Sequence, residues 1–227
     1  MFVLIYITGD LHGNIDYHNK PLKQIQGGQE DYLIIAGDFG VLWDDVPDKI
    51  EKKLLRNLEN LGPTILFIDG NHENFNRLDA LPTKEMLGGD VGVVSEKIFH
   101  LRRGRIYTIE NQTFFCFGGA LSTDKKYRIK DISYWEKELP SPEEYQFALD
   151  NLEKYDFKVD YLITHAAPSG IKNILVIKNK THDPTEGYLN EIQQRVVFKK
   201  WYFGHYHIDR NLGYYIALYN NIITIED

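Results

Sequence analysis

Short apolar, β-branched or aromatic runs punctuate the chain at "FVLIYIT" (2–8), "YLIIA" (32–36), "TILFI" (64–68), "YLIT" (161–164) and "KWYF" (200–203). Runs of that length, bounded by Gly and Asp, predict strands buried on both faces. Helical patterns lie between them. "PDKIEKKLLRNLENLG" (47–62) has helical apolar spacing, an early proline and a glycine stop, and "SPEEYQFALDNLEKY" (141–155) opens with Ser141, Pro142 and Glu144 in capping-box order. Strands alternating with helices predict βα units and a largely parallel sheet. By contrast, "EKIFHLRRGRIYTIENQTFFCFGG" (96–119) and "GYYIALYNNIITIED" (213–227) read as consecutive β segments joined by tight turns, which predicts antiparallel pairing. Two mixed central sheets face to face, with helices outside, accommodate both patterns. The expected fold class is therefore α/β, a four-layer α/β/β/α sandwich.

What terminates each strand changes the picture. The first run ends in "GDLHGN", giving Asp10 and His12; the second in "GDFG", giving Asp38; the third in "DGNHEN", giving Asn71 and His72. The fourth ends in "THAAP", giving His165, and the fifth in "GHYH", giving His205 and His207. In open α/β sheets the carboxyl ends of strands are where ligands gather, because the loops there converge on one crevice. Each piece alone is ordinary: "GD" and "GN" are common turn formers, and paired histidines near a strand end are more often surface or core residues. Coincidence at all five strand ends, drawing on five of the chain's 8 histidines, is hard to ascribe to turns.

Composition sets outer limits. A chain of 227 residues, 43% hydrophobic and 26% charged, reads as one soluble globular domain over residues 1–227. A net charge of −7 argues against non-specific nucleic-acid binding, which needs a basic surface, but leaves room for a local basic pocket. The single cysteine, Cys116, excludes an intrachain disulfide framework and a thiolate-rich metal site, and reads as a small core residue. The apolar start is too short to span a bilayer and has no basic leader, so no membrane association and a cytoplasmic location are expected.

The strand-end residues resemble the calcineurin-like metallophosphoesterase superfamily. Its pattern of D-x-H, G-D, G-N-H-[DE], a lone H, and G-H-x-H appears here as Asp10-Leu11-His12, Gly37-Asp38, Gly70-Asn71-His72-Glu73, His165 and Gly204-His205-Tyr206-His207. All five blocks are intact, and they span nearly the whole chain. The resemblance implies two metal ions, with Asp10, His12, Asp38 and His207 on the first and Asp38, Asn71, His165 and His205 on the second. Asp38 would bridge them. Oxygen and nitrogen ligands without sulfur suit Mn, Fe, Zn or Ni. Paired metals ~3.5–4 Å apart can share a metal-bridging hydroxide and clamp phosphoryl oxygens during in-line attack. His72, not itself a ligand in the pattern, would stabilise the transition state and protonate the leaving oxygen.

One departure narrows the family. Where protein phosphatases carry G-D-x-x-D-R-G, this chain has "GDFGVLW" (37–43), and the phosphate-contacting arginine is missing. The expected substrate is a small phosphate ester, a nucleotide among the candidates, with diesters favoured over monoesters for want of that arginine. Further substrate contacts are sought in "RRGR" (102–105) and "STDKKYRIK" (122–130), which otherwise read as solvated turns. Lys125 or Arg128, with Trp135, would form a rim over the metals. His18, His100 and His182 read as surface or core, and "YYIALYNN" (214–221) as core. Two other readings are a metal-free scaffold, which would have lost ligands, and a nuclease, for which the chain is short and acidic.

Overall fold

The computed structural model describes residues 3–13, 22, 25, 27–175 and 182–225; His18 lies outside them. Among the described residues, thirteen strands form two mixed sheets. The chain begins β1 (Ile5–Thr8), β2 (Tyr32–Ile35), α1 (Lys49–Glu59), β3 (Thr64–Phe67) and α2 (Phe75–Asp79). It continues through β4 (Thr83–Met86), β5 (Gly89–Val93), β6 (Ile98–Leu101), β7 (Arg105–Ile109) and β8 (Gln112–Phe117). After α3 (Pro142–Lys154) come β9 (Tyr161–Thr164), α4 (Ser169–Leu175), α5 (Pro184–Arg195) and β10 (Lys200–Phe203). Three short strands close it: β11 (Arg210–Leu212), β12 (Tyr215–Ala217) and β13 (Ile223–Ile225).

The first sheet runs β13-β1-β2-β3-β6-β5-β4 and the second β11-β12-β10-β9-β8-β7. At the heart of each, neighbours are parallel: β1, β2 and β3 in one, β8, β9 and β10 in the other. The parallel strands therefore send their carboxyl ends to a common edge of each sheet.

Three apolar layers hold the sandwich. Ile7, Ile34 and Leu66 of the first sheet meet Phe114, Ile163 and Tyr202 of the second in the central core. Their sequence neighbours point the other way, as strand pleating requires. Leu33, Ile65 and Phe67 meet Leu58 of α1 and Phe75 of α2, while Phe115, Leu162 and Trp201 meet Leu152 of α3 and Leu189 of α5. The layer order is α/β/β/α. Buried Trp201 keeps its polar edge satisfied by donating from Nε1 to Thr164 Oγ1 at 2.7 Å, which ties β10 to β9 beside two strand-end histidines.

Local signals explain the helices that frame the sheets. Asp48 caps α1 by accepting from Glu51 N at 2.7 Å. In α3 the capping box is closed: Ser141 Oγ accepts from Glu144 N at 3.2 Å, and Glu144 Oε2 accepts from Ser141 N at 2.8 Å. No helix among the described residues is long and apolar enough to cross a membrane.

Two pairings differ from the sequence expectation. β6 and β7 do not form a hairpin. β6 lies between β3 and β5 in the first sheet, and Arg102, Arg103 and Gly104 carry the chain across to β7 in the second. β12 and β13 are likewise divided between the sheets, and β12 pairs parallel with β10. β7 and β8 do pair antiparallel. Within the aromatic stretch after Gly213, Ile216, Ala217 and Leu218 are core, but Tyr214 is 65% exposed.

Cys116 sits fully buried in the central core, and burial pushes its thiol well above the usual range. Its thiol is expected to stay unreactive toward a thiol reagent in the folded protein and to titrate as one equivalent in denaturant. Stoichiometric labelling under native conditions would show that the inter-sheet core opens readily.

Candidate metal centre

Every residue singled out at a strand end lies just past β1, β2, β3, β9 or β10, and the loops are stitched together across the sheets. Asp10 N donates to Gly37 O at 3.2 Å and His12 N to Asp38 O at 2.7 Å, locking the first two loops in register. Gly204 N donates to His165 O at 3.1 Å, and His205 N to Asp10 Oδ1 at 2.9 Å, joining the second sheet to the first.

The backbone here is unusual. Asp10, His12, Asp38, His205 and His207 all adopt positive φ, between 49° and 69°. That left-handed region costs a non-glycine residue about 1–2 kcal/mol. Five such residues around one point mean that loop contacts hold a strained arrangement in place. Two glycines make room for it: a Cβ on Gly37, at φ +88°, would run into the His165 imidazole, and one on Gly70 into the Asp38 carboxylate.

The side chains then converge. Ligand atoms of Asp10, His12, Asp38 and His207 all lie within 4.8 Å of one another. His12 Nε2 and His207 Nε2 are 3.0 Å apart, His12 Nε2 is 3.6 Å from Asp38 Oδ2, and His207 Nε2 is 3.9 Å from Asp10 Oδ1. The other Asp38 oxygen faces elsewhere: Oδ1 is 3.3 Å from His165 Nε2, which is also 3.2 Å from Asn71 Oδ1. The His205 ring packs on His165 with centroids 5.1 Å apart.

Second contacts fix which atoms face inward. His165 Nδ1 donates to Ala36 O at 2.9 Å, which turns Nε2 toward Asp38 and Asn71. Asn71 Nδ2 donates to Ser122 Oγ at 3.0 Å, so its Oδ1 is the atom presented. The sequence motif includes Glu73 without giving it a task. In the structure its buried carboxylate accepts from Phe39 N at 2.7 Å and Gly40 N at 3.2 Å, bracing the loop that carries Asp38. Ser122 and Tyr219, which stacks on His207 at 4.5 Å, had no signal in the sequence because their roles depend on packing.

Electrostatics at His12, His205 and Asp38 suit a cation. Burial lowers His12 to about 4, with Asp38 opposing and His72 and His207 assisting, and burial lowers His205 to about 3. Both rings are neutral lone-pair donors at neutral pH. Burial opposes a charge on His165 as well, but the adjacent Asp38 carboxylate outweighs it and raises the ring to about 10. Asp38 is held far below the carboxylate range, its burial outweighed by His165, His72 and His12. Two carboxylates, an amide oxygen and imidazole nitrogens, with no sulfur, form a donor set that fits borderline metal ions.

His72 lies beside this cluster. Its backbone N donates to Asp38 Oδ1 at 2.8 Å, its ring is 5.1 Å from that of His12, and Arg128 Nη2 is 3.0 Å from both its ring nitrogens. Burial and Arg128 lower its pKa, against the pull of Asp38.

Other sequence candidates lie elsewhere. Lys125 Nζ pairs with the buried Glu138 Oε1 at 2.7 Å. Trp135 forms no rim; it is 2% exposed and packs edge-on against Trp43, because its indole completes the apolar layer under the first sheet. In "RRGR", Arg103 is no solvated turn residue but is buried, paired with Asp69 at 2.6 Å and Glu144 at 3.0 Å. His100 is buried against Asp69, and His182 is exposed.

Comparison with known proteins places the chain. No curated protein matches it. A solved structure from Staphylococcus aureus, provisionally described as a 5′-nucleotidase in complex with α-ketoglutarate, aligns at 14% identity with a TM-score of 0.47. That alignment covers 96% of this chain but 48% of the other, so the chain spans about half its length. A family model described as calcineurin-like phosphoesterase matches residues 3–209, the stretch that holds both sheets' central strands and all the strand-end residues above. The chain belongs to the calcineurin-like phosphoesterase family.

Proposed function

We propose that the chain hydrolyses a small phosphate ester, a mono- or diester, at a two-metal site. Asp10, His12, Asp38 and His207 hold one ion; Asp38, Asn71, His165 and His205 hold the other. The observation that carries this reading is the split of Asp38, whose Oδ2 faces His12 while Oδ1 faces His165. Bound ions of the Mn, Fe, Zn or Ni type supply charge neutralisation for the phosphoryl oxygens and activation of a water.

The chain's own residues do the rest. Asn71, aligned by Ser122, presents a fixed acceptor, and His165, aligned by the Ala36 carbonyl, would present Nε2 once a bound ion displaces the proton that Asp38 holds on it. His72 stands outside both donor sets and is assigned the proton delivered to the leaving oxygen. Arg128 is assigned the phosphate contact, while Lys125, engaged by Glu138, tethers the same segment. Nucleotides are among the substrates to test.

The test is a panel. Protein loaded in turn with Mn, Fe, Zn, Ni or Mg is assayed on a monoester, a diester and several nucleotides, with elemental analysis of each preparation. Hydrolysis with at least one metal, at about two ions per chain, is expected. Metal-loaded protein that cleaves none of them would remove the hydrolytic reading.

A further inference from the structure

Arg128 arrives at the centre from outside every motif block. It lies between β8 and α3, in a segment anchored on both sides of the site. Ser122 Oγ accepts from Asn71 at 3.0 Å, and Ser122 N donates to Glu138 Oε1 at 2.9 Å. Lys125 holds the same buried Glu138 oxygen. The guanidinium is aimed rather than free: Nε and Nη2 pair with Asp124 Oδ2 at 2.8 and 2.7 Å, Nη1 donates to Ser133 O at 3.2 Å, and Nη2 also reaches the His72 ring. Its side chain is 12% exposed. A charged fork pre-set this way loses little entropy on meeting an oxyanion.

We infer that Arg128 stands in for the arginine missing from the second motif block and makes the enzyme selective for phosphomonoesters. The inference rests on the two-metal hydrolase reading and deepens it. A monoester carries three terminal oxygens and a charge of roughly −1.5 to −2 at neutral pH. A diester carries two terminal oxygens, one charge and a second organic group. With a cation fixed against the proton-donor side of the site, the extra oxygen of a monoester gains a charge-assisted hydrogen bond. The second substituent of a diester would instead have to lie against a guanidinium that is already packed. Missing arginine in "GDFGVLW" favours diesters on sequence alone; the arrangement of the folded chain reverses that ranking.

The experiment compares p-nitrophenyl phosphate with bis-p-nitrophenyl phosphate, under saturating Mn, for the wild type, Arg128→Lys and Arg128→Ala. Binding of inorganic phosphate to the metal-loaded proteins is measured by calorimetry alongside. Wild type should prefer the monoester. Arg128→Ala should lose about 10- to 100-fold in monoester kcat/KM and in phosphate affinity, the usual worth of one charged hydrogen bond. Its diester rate should fall far less, and Arg128→Lys should lie between. Equal loss on both esters, loss on neither, or loss of bound metal in Arg128→Ala would each overturn the inference. Phosphate affinity separates this from the parent reading: a wild type that cleaves nothing, yet binds phosphate through Arg128, would sink the hydrolase assignment and keep the contact.

Discussion

Asp38→Ala is expected to empty both metal positions and abolish hydrolysis. Asp38 is the residue shared by the two donor sets, with Oδ2 3.6 Å from His12 Nε2 and Oδ1 3.3 Å from His165 Nε2. Its Oδ1 also accepts the backbone N–H of His72 at 2.8 Å, so truncation loosens the loop that carries Asn71. Paired ions contribute several kcal/mol to transition-state charge, so activity should fall by ~10³-fold or more. Metal content should drop from about two ions per chain to less than one. Alanine at φ +50° adds backbone strain, whereas asparagine tolerates that region and keeps the side-chain shape. Asp38→Asn therefore isolates the lost charge, and it should retain the fold while losing most of the metal. Two ions retained in Asp38→Ala, or saturation of the wild type at a single ion, would dismiss the bridging role.

The central strands and the strand-end residues were legible because their signals are local. "YLIT" and "KWYF" are observed as strands with the bounds read from the apolar runs, and Ser141 and Glu144 close the capping box their spacing announces. What the sequence did not carry depends on long-range pairing. A three-residue turn such as Arg102–Gly104 reads the same whether it closes a hairpin or steps between sheets, and only the partners of β6 decide. The β4–β5 hairpin was silent for another reason: "TKEM" is exposed or half-exposed throughout and has no apolar pattern to detect.

Basic residues show the same limit within the site. Lys125 and Arg128 are three positions apart and equivalent by composition. One meets Glu138 and the other His72 because the Lys125–Tyr127 turn ends at Arg128, where the backbone becomes extended. Arg103 looked like part of a solvated run, yet buried Asp69 makes its charge affordable: burial would raise that carboxyl, and Arg103 with His100 holds it at about 2 instead. Neither assignment follows from residue type.

His72→Ala should show a loss that depends on the leaving group. General acid help is typically worth ~10²–10⁴-fold when the leaving oxygen needs a proton, as in alkyl and nucleoside esters. A p-nitrophenolate leaves readily without one, so p-nitrophenyl esters should be damaged far less. The substitution is a clean probe here, because the link from position 72 to Asp38 runs through the backbone N–H, which alanine retains. Both metals should therefore stay bound. The environment bears on the size of the effect: burial and Arg128 lower the His72 pKa, against Asp38, so the free ring favours its neutral form. An anionic phosphoryl group beside His72 and Arg128 offsets that cation and favours the protonated ring. Rates for a nucleoside ester and a p-nitrophenyl ester, measured with metal content on the same preparation, separate the possibilities. Loss of metal together with all activity would make His72 a brace for the Asn71 loop. Uniform loss at full metal occupancy would make it an electrostatic stabiliser of the phosphoryl group, and the proton-donor role would have to be withdrawn.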